Sequence, residues 1–345
     1  MHQDFAHFVA RVRDQVEARL SSWLDARVAE ARRRGSEVGL VADGVRQLTM
    51  RGGKRFRAVL LAATYEACGG GGGAEAVASA GAAIELFQTY LLTHDDLIDG
   101  DDLRRGGPSV PARMREHFGA AGASAMSILA GDLAGAWAQR MFLELQLPPE
   151  RVARAALELA RVHEEVIAGQ VLDVRGSAGD ARAVEAMHAL KTASYSVRGP
   201  VLIGARLAGA SDVLVRALAA FAEPLGVAFQ LRDDVLGLFG DPVTTGKPAS
   251  NDLREGKRTA LVVEALRDGR AADALDRVLG HRGASDADVR EAVARIAACG
   301  ALARIEERIA ELTGAARAAL AHADLAPGDR ALLEPTIDAL TERRS

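Results

Sequence analysis

The segment His94-Asp95-Asp96-Leu97-Ile98-Asp99-Gly100-Asp101-Asp102 carries five carboxylates in eight positions. On a helix, Asp95 and Asp99 are i and i+4, roughly 6 Å apart along the axis and on nearly the same face. Such a pair repels itself near neutral pH unless a cation sits between the two groups. Hard cations with oxygen ligands suit the arrangement, chiefly Mg²⁺, which typically takes one or two carboxylates and completes its shell with phosphate oxygens and water. The competing reading is a solvated acidic helix end. Placement at a helix C-terminus weighs against it, because the macrodipole disfavours negative charge there. An EF-hand is excluded, since the alternating Asp/Asn positions, the central Gly and the closing Glu are missing.

A second cluster, Gln230-Leu231-Arg232-Asp233-Asp234-Val235-Leu236-Gly237-Leu238-Phe239-Gly240-Asp241, again sets an Asp pair at the end of an apolar helical stretch. Asp233 and Asp241 share a face if that helix continues. Two such clusters on separate helices are expected to face each other across a cavity and hold several cations. Basic groups stand beside them: Arg104-Arg105-Gly106-Gly107 after the first, Gly246-Lys247 and Gly256-Lys257-Arg258 after the second, and Arg51-Gly52-Gly53-Lys54-Arg55-Phe56-Arg57 upstream. Arginine forks match phosphate oxygens bidentately, and glycines let backbone approach closely. Any one basic group reads as a solvated surface feature. Their repeated pairing with glycine beside acidic clusters points to a polyanion held by metal on one side and by Arg and Lys on the other.

Other chemistries fail on spacing. Gly240 to Lys247 resembles a P-loop, but its spacer has five residues, Pro248 stands where Ser or Thr is required, and no strand precedes it. The eight histidines form no H-E-x-x-H pair, and no G-x-S-x-G elbow occurs.

The elements that must position these residues are helical. Apolar residues at Phe8, Val9, Val12, Val16, Leu20, Trp23 and Leu24 predict a helix over Phe5 to Arg33. A Gly69–Gly73 loop precedes a long helix over Ala74 to Gly100. Further helices are predicted over Ala121–Gln146, Glu150–Arg175, Ala181–Leu207, Asp212–Phe239, Leu253–Asp268 and Asp286–Ala321, with Pro148-Pro149 separating two of them. Strand alternation is almost absent. Length alone suggests two domains, but no linker or repeat divides the chain, so residues 1–345 are expected to form one all-α domain.

Composition bounds the partners. Hydrophobic residues are 49% and aromatics only 4%, which implies a large aliphatic core. The formal net charge of −4 leaves no basic footprint for nucleic acid. Cys68 and Cys299 have no metal or redox spacing, no signal peptide is visible at the N-terminus, and no apolar stretch is long enough to span a membrane. A cytoplasmic protein is expected.

Together these residues resemble the trans-isoprenyl diphosphate synthases of the polyprenyl synthetase family, of the geranylgeranyl diphosphate synthase type. The resemblance runs from about Gly52 to Lys257. It rests on Asp95-Asp96-Leu97-Ile98-Asp99 followed by Arg104-Arg105-Gly106, on Gly53-Lys54-Arg55-Phe56-Arg57, Gly169-Gln170-Val171-Leu172-Asp173, Lys191-Thr192, and Gln230 to Asp234. The second motif departs from the family pattern, with Gly237 in the place of a final Asp.

The resemblance implies a single helical bundle around a central prenyl-binding cavity, the isoprenoid synthase fold, and a Mg²⁺-dependent condensation of isopentenyl diphosphate with an allylic diphosphate. By the same resemblance Asp95 and Asp99 hold two ions with Asp96 in support, and Asp233 holds a third with Asp234 behind it. Arg104, Lys191, Lys247 and Lys257 bind the allylic diphosphate. The oxygens of Thr192 and Gln230 lie near the developing carbocation. Lys54, Arg57, Gln88 and Arg105 hold isopentenyl diphosphate, and the released diphosphate removes the proton. Tyr90 and Leu91, five and four positions before Asp95, form the floor of the prenyl cavity. An aromatic at the first, a smaller residue at the second and no insertion between Asp96 and Asp99 imply geranylgeranyl diphosphate (C20), with farnesyl diphosphate next. A class I terpene cyclase would lack the Gly53–Arg57 element and the Asp233-Asp234 pair. A non-catalytic partner subunit would have lost motif residues. The family usually forms homodimers.

Overall fold

The computed structural model describes residues 2–176, 181–240 and 251–342. Asp241, Gly246 and Lys247 lie outside the described residues. The chain is almost wholly helical: α1 (His2–Arg34), α2 (Ser36–Met50), α3 (Phe56–Ala67), α4 (Ala74–Asp99), a hairpin of β1 (Leu103–Arg104) and β2 (Gly107–Pro108), α5 (Val110–Leu143), α6 (Pro149–Arg175) and α7 (Ala181–His188). A π-helical segment (Ala189–Arg198) leads into α8 (Gly199–Ala208) and α9 (Asp212–Phe239). The remaining helices are α10 (Asn251–Glu255), α11 (Ala260–Asp268), α12 (Ala272–Asp276), α13 (Asp286–Ala298), α14 (Ala301–His322) and α15 (Pro327–Thr341). No helix among the described residues is long and apolar enough to cross a membrane.

Two helices that carry acidic clusters have the predicted bounds, and their ends show why. Ser211 caps α9 by accepting the Leu214 N–H at 3.2 Å, and Gly240 leaves helical backbone at its other end. α4 stops where Gly100 enters the left-handed region at φ 71° and returns its N–H to the Asp96 carbonyl, a conformation glycine adopts without steric cost. Three predicted helices are instead interrupted. The Ala181–Leu207 stretch keeps its path but widens into the π-helical segment. Leu253–Asp268 breaks at Gly256, with φ 81°, and restarts where Thr259 caps α11. Asp286–Ala321 breaks at Gly300, also at φ 81°. α5 starts before the predicted Ala121 because Ser109 caps it, accepting the Ala112 N–H at 3.1 Å, and it kinks at Gly119.

The residues cluster into two compact units, Met1–Ala156 with Ile203–Ala210, and Leu157–Leu202 with Ser211–Ser345. In the first, α4 packs on α1, α3 and α5. α1 contributes Val12, Val16, Leu20, Leu24 and Val28, all buried at a four-residue spacing. α4 is buried along nearly its whole length from Ala76 to Thr89, so its acidic C-terminal turn is carried on a helix with little freedom to tilt. In the second unit, α9 packs against the π-helical segment, α14 and α15. Leu231, Val235 and Leu238 of α9 join Leu261, Val278, Ile296 and Ile305 in an aliphatic core.

Close backbone approach sets part of this packing. A Cβ on Gly204 of α8 would lie 2.4 Å from the Leu61 carbonyl oxygen and 3.1 Å from Thr64 Cβ of α3. Gly204→Ala should therefore lower stability by about 1–3 kcal/mol, the usual range for overpacking. An unchanged urea unfolding midpoint would show that α3 and α8 can separate without loss.

Candidate active site

The last turn of α4 presents Asp95, Asp96 and Asp99 in three environments. Asp95 and Asp99 are partly exposed, whereas Asp96 is fully buried. Arg104, arriving on β1, donates from Nε to Asp96 Oδ1 at 2.6 Å and from Nη2 to Asp101 at 2.9 Å. Its Nη2 lies 3.9 Å from Asp95 Oδ2. Burial pushes the Asp96 carboxyl up to about 6, and the adjacent guanidinium opposes that rise. Asp96 Oδ2 is buried without a hydrogen-bond partner among the described residues. Arg104, expected to serve a diphosphate, is thus also the internal counter-ion of this acidic turn.

The hairpin has a two-residue turn. Leu103 pairs with Pro108 and Arg104 with Gly107, and the turn residues Arg105 and Gly106 have φ of 51° and 70°. Two consecutive positive φ values are what a tight turn in a twisted hairpin requires. The hairpin is tied to the upstream basic loop from both sides. Arg105 Nη1 donates to the Gly52 carbonyl at 3.0 Å. Arg51 Nη1 donates to the Arg104 carbonyl at 3.2 Å and to that of Pro108. Gly107 makes room for this, since a Cβ there would lie 2.9 Å from Arg51 Cζ. Two basic segments about fifty residues apart in sequence form one assembly (Gly52 to Arg105).

Of the four cations in the upstream loop, Lys54 is exposed and Arg57 partly so, as an anion-binding role needs. Arg55 departs from the expected surface feature. It is 3% exposed and donates to Glu85 Oε2 at 3.0 Å and the Thr49 carbonyl at 2.8 Å. Sequence gives no sign of this, because Glu85 reads only as an interruption of an apolar run. Gln88, one turn after Glu85 on α4, is 8% exposed. Tyr90 packs edge-on against His94, ring centroids 4.9 Å apart, and 5.7 Å from Phe87. A Cβ on Gly135 of α5 would stand 3.5 Å from the Tyr90 ring, and Leu91 is partly buried.

In the second unit, Lys191 and Thr192 lie in the π-helical segment, both partly buried. Lys191 Nζ donates to Asp173 Oδ2 at 2.6 Å. Gly169 permits that approach, since a Cβ there would be 2.3 Å from the Lys191 backbone N. On the other side, a Cβ on Gly226 of α9 would be 2.7 Å from Ala193 Cβ. The Gly169-to-Asp173 element therefore has a physical role: its glycine admits the π-helical segment, and its aspartate holds the lysine.

On α9, Asp234 is 5% exposed, and Gln230 Nε2 donates to its Oδ1 at 2.8 Å. That donation leaves Gln230 Oε1 as the amide atom able to face a positive centre. Burial pushes the Asp234 carboxyl up to about 8 and His188, whose Nδ1 stands 3.7 Å from Asp234 Oδ2, down to about 4. A divalent cation nearby would reverse the shift at Asp234 by favouring the carboxylate. Asp252, which sequence inspection passes over, answers the departure at Gly237. Its Oδ2 stands 3.0 Å from where a Gly237 Cβ would be, so a carboxylate occupies the space above that position although the motif lacks its own. Lys257 Nζ lies 2.9 Å from Glu255 and 3.9 Å from Asp252.

These donors fit a hard divalent cation. They are carboxylate oxygens with no sulfur among them, and Asp96 Oδ2 and Asp234 Oδ2 are buried without hydrogen-bond partners among the described residues. Among the described residues, no three His, Cys, Asp or Glu side chains are grouped so as to hold an ion by themselves. An ion bound through one or two of them takes its remaining ligands from water and phosphate oxygens.

Comparison with known proteins gives the family. Residues 39–296 match the family described as polyprenyl synthetase. A geranylgeranyl diphosphate synthase of Mycobacterium tuberculosis is 37% identical over 279 residues, covering 77% of this chain and 76% of the relative. A nonaprenyl diphosphate synthase of the same organism is 32% identical over 330 residues, covering 95% of this chain and 92% of the relative. The crystal structure of geranylgeranyl pyrophosphate synthase from Corynebacterium glutamicum, complexed with isoprenyl diphosphate and magnesium, aligns with a TM-score of 0.89 at 35% identity, covering 98% of this chain and 99% of that one. With the family match spanning more than half its length and its acidic and basic motifs held as described, this chain belongs to the polyprenyl synthetase family.

Proposed function

We propose that this protein is a magnesium-dependent trans-isoprenyl diphosphate synthase. It condenses isopentenyl diphosphate with an allylic diphosphate to give an all-trans product, geranylgeranyl diphosphate. The observation that carries the reading is the first unit's assembly. Asp95 and Asp99 share a helix face, with Arg104 paired to Asp96 between them in sequence, while Lys54 and Arg105 stand on a loop and hairpin bound to each other and Arg57 follows in the first turn of α3. One group suits cations that bridge to a diphosphate, and the other suits a second diphosphate directly.

In this reading Asp95 and Asp99, supported by Asp96, hold two magnesium ions, and Asp233, backed by Asp234, holds a third. When bound, magnesium neutralises the charge that builds on a departing diphosphate. The protein's own groups do the rest. Arg104, Lys191, Lys247 and Lys257 grip the allylic diphosphate. Lys191 exchanges Asp173 for a phosphate oxygen within the same ammonium reach. The Thr192 and Gln230 oxygens face the allylic carbons as positive charge develops there. Lys54, Arg57, Gln88 and Arg105 hold isopentenyl diphosphate so that its double bond attacks. The released diphosphate takes the proton, so no histidine base is needed, and His188 is held neutral by burial.

Product length is read from Tyr90 and Leu91, because relatives of similar identity differ in product. Tyr90 is clamped by His94 and by the side-chain-free surface of Gly135, a rigid setting for a floor that stops chain growth. The reading includes residues 1–345 acting as one catalytic domain, a homodimer and a cytoplasmic location. Exposed Ile128 and Leu129 on α5, 47% and 53% accessible, support the association, and the two cysteines, with no metal or redox spacing in the sequence, fit a reducing compartment.

Chelation with EDTA should abolish condensation, and Asp95→Asn or Asp233→Asn should lower kcat/KM roughly 100-fold or more, as loss of several kcal/mol of charge stabilisation implies. Full turnover in EDTA would exclude the mechanism. Asp252→Asn should raise the magnesium concentration for half-maximal rate, whereas an unchanged requirement would leave Asp252 a mere space-filler over Gly237. Tyr90→Ala should shift products beyond C20 on chromatography after dephosphorylation, and an unaltered C20 profile would reject the floor.

A further inference from the structure

Resting on the proposed isopentenyl diphosphate site, the structure assigns a further role to a residue that touches no substrate. We infer that Arg55, through its buried ion pair with Glu85, is the positioning residue that fixes the isopentenyl diphosphate-binding loop on α4.

Four observations converge on it. Arg55 and Glu85 are buried, with side chains 1% and 2% exposed, among mostly apolar neighbours in the buried interior of the first unit. The guanidinium joins several helices: Nη1 donates to Glu85 of α4 at 3.0 Å, Nη2 to the Thr49 carbonyl of α2 at 2.8 Å, and Nε lies 3.6 Å from Glu17 of α1. Next to it, the Thr49 and Thr89 hydroxyls hydrogen-bond at 2.9 Å, tying α2 to α4 again. Finally, Arg55 and Arg105 are the only non-glycine residues with positive φ among those described, at 49° and 51°. Both belong to the basic assembly. Residues held in sparsely populated backbone regions persist where their surroundings over-determine them, and they gather at functional sites.

The connections run from this pair to every candidate ligand of the second diphosphate. Lys54 precedes Arg55 directly, and Arg57 follows within the first turn of α3. Arg105 is held by the carbonyl of Gly52, three residues upstream of Arg55. Gln88 lies one turn beyond Glu85 on α4. A buried ion pair is a poor source of stability, because desolvation offsets most of the attraction and well-packed apolar side chains of similar volume serve as well or better. What apolar side chains cannot supply is the fork, which orients the loop against one carboxylate and one carbonyl at defined angles. The pair is therefore explained by placement rather than by stability.

The experiment separates the two roles. In the full-length protein, Arg55→Met alone should lower the melting temperature and raise KM for isopentenyl diphosphate about tenfold, since displacement of a binding group by about 1 Å carries penalties of that size or larger. KM for the allylic primer should stay within about twofold, because Arg104, although its hairpin touches the same loop, is fixed separately by Asp96 and Asp101, and Lys191 and Lys257 are held by Asp173 and Glu255. The Arg55→Met/Glu85→Leu double variant should recover the melting temperature yet keep the raised KM for isopentenyl diphosphate. Arg55→Lys, which keeps charge but loses the fork, should give an intermediate KM at near-normal melting temperature and decides the matter should the double variant not fold. A stable double variant, or Arg55→Lys, with ordinary KM for isopentenyl diphosphate would overturn the inference, as would equal rises for both substrates. A wild-type chain that shows no magnesium-dependent condensation would instead overturn the functional reading and this inference with it.

Discussion

The first unit is organised around an electrostatic problem: several carboxylates stand where a helix already concentrates negative potential. The carbonyl end of α4 gathers Asp95, Asp96 and Asp99, and Asp101 follows the left-handed Gly100. Left alone, such a turn would fray or protonate. Arg104 answers part of the charge by entering beside Asp96 and Asp101. Arg104 arrives on the tight hairpin that leads to Ser109, which caps α5 and whose Oγ also donates to the Asp101 carbonyl at 2.6 Å. The charge that Arg104 leaves unanswered is what suits the turn to the divalent cations of the proposed reading.

The cations that the proposed reading assigns to substrate are held in a comparable way. Lys191 rests on Asp173, Lys257 on Glu255, and Arg105 on a backbone carbonyl. Each has a partner weaker than a magnesium-bound diphosphate, so ordering exists before ligand arrives and little side-chain entropy is left to lose. Glycine makes these arrangements possible. Gly107, Gly169 and Gly226 each leave space that another segment's backbone or side chain occupies at distances no Cβ would allow.

The second unit places Lys191 and Thr192 on irregular backbone. The π-helical segment carries Lys191 and Thr192 between Gly169 and Gly226, and π-type geometry is a recurrent sign of functional sites within helices. Asp234 is buried among acidic neighbours and held by Gln230, which orders the amide oxygen as well as the carboxyl. At Gly237 the Asp252 carboxylate stands 3.0 Å from where a Cβ would be, so a charged group lies beside a motif position that lacks its own.

Periodicity and capping residues were enough to read the all-helical fold and the bounds of α4 and α9, because those depend on neighbours within one or two turns. The Asp95/Asp99 spacing and the glycine-flanked basic groups likewise named the chemistry, since i to i+4 geometry follows from the helix alone. What local pattern could not decide was the partner of each charge. Arg55 and Lys54 are adjacent in sequence, yet one is buried against Glu85 and the other exposed; Asp96 faces inward where Asp95 does not; and Asp252 stands over Gly237. Such pairings depend on burial and on contacts between segments distant in the chain, and only the folded packing of the helices determines those.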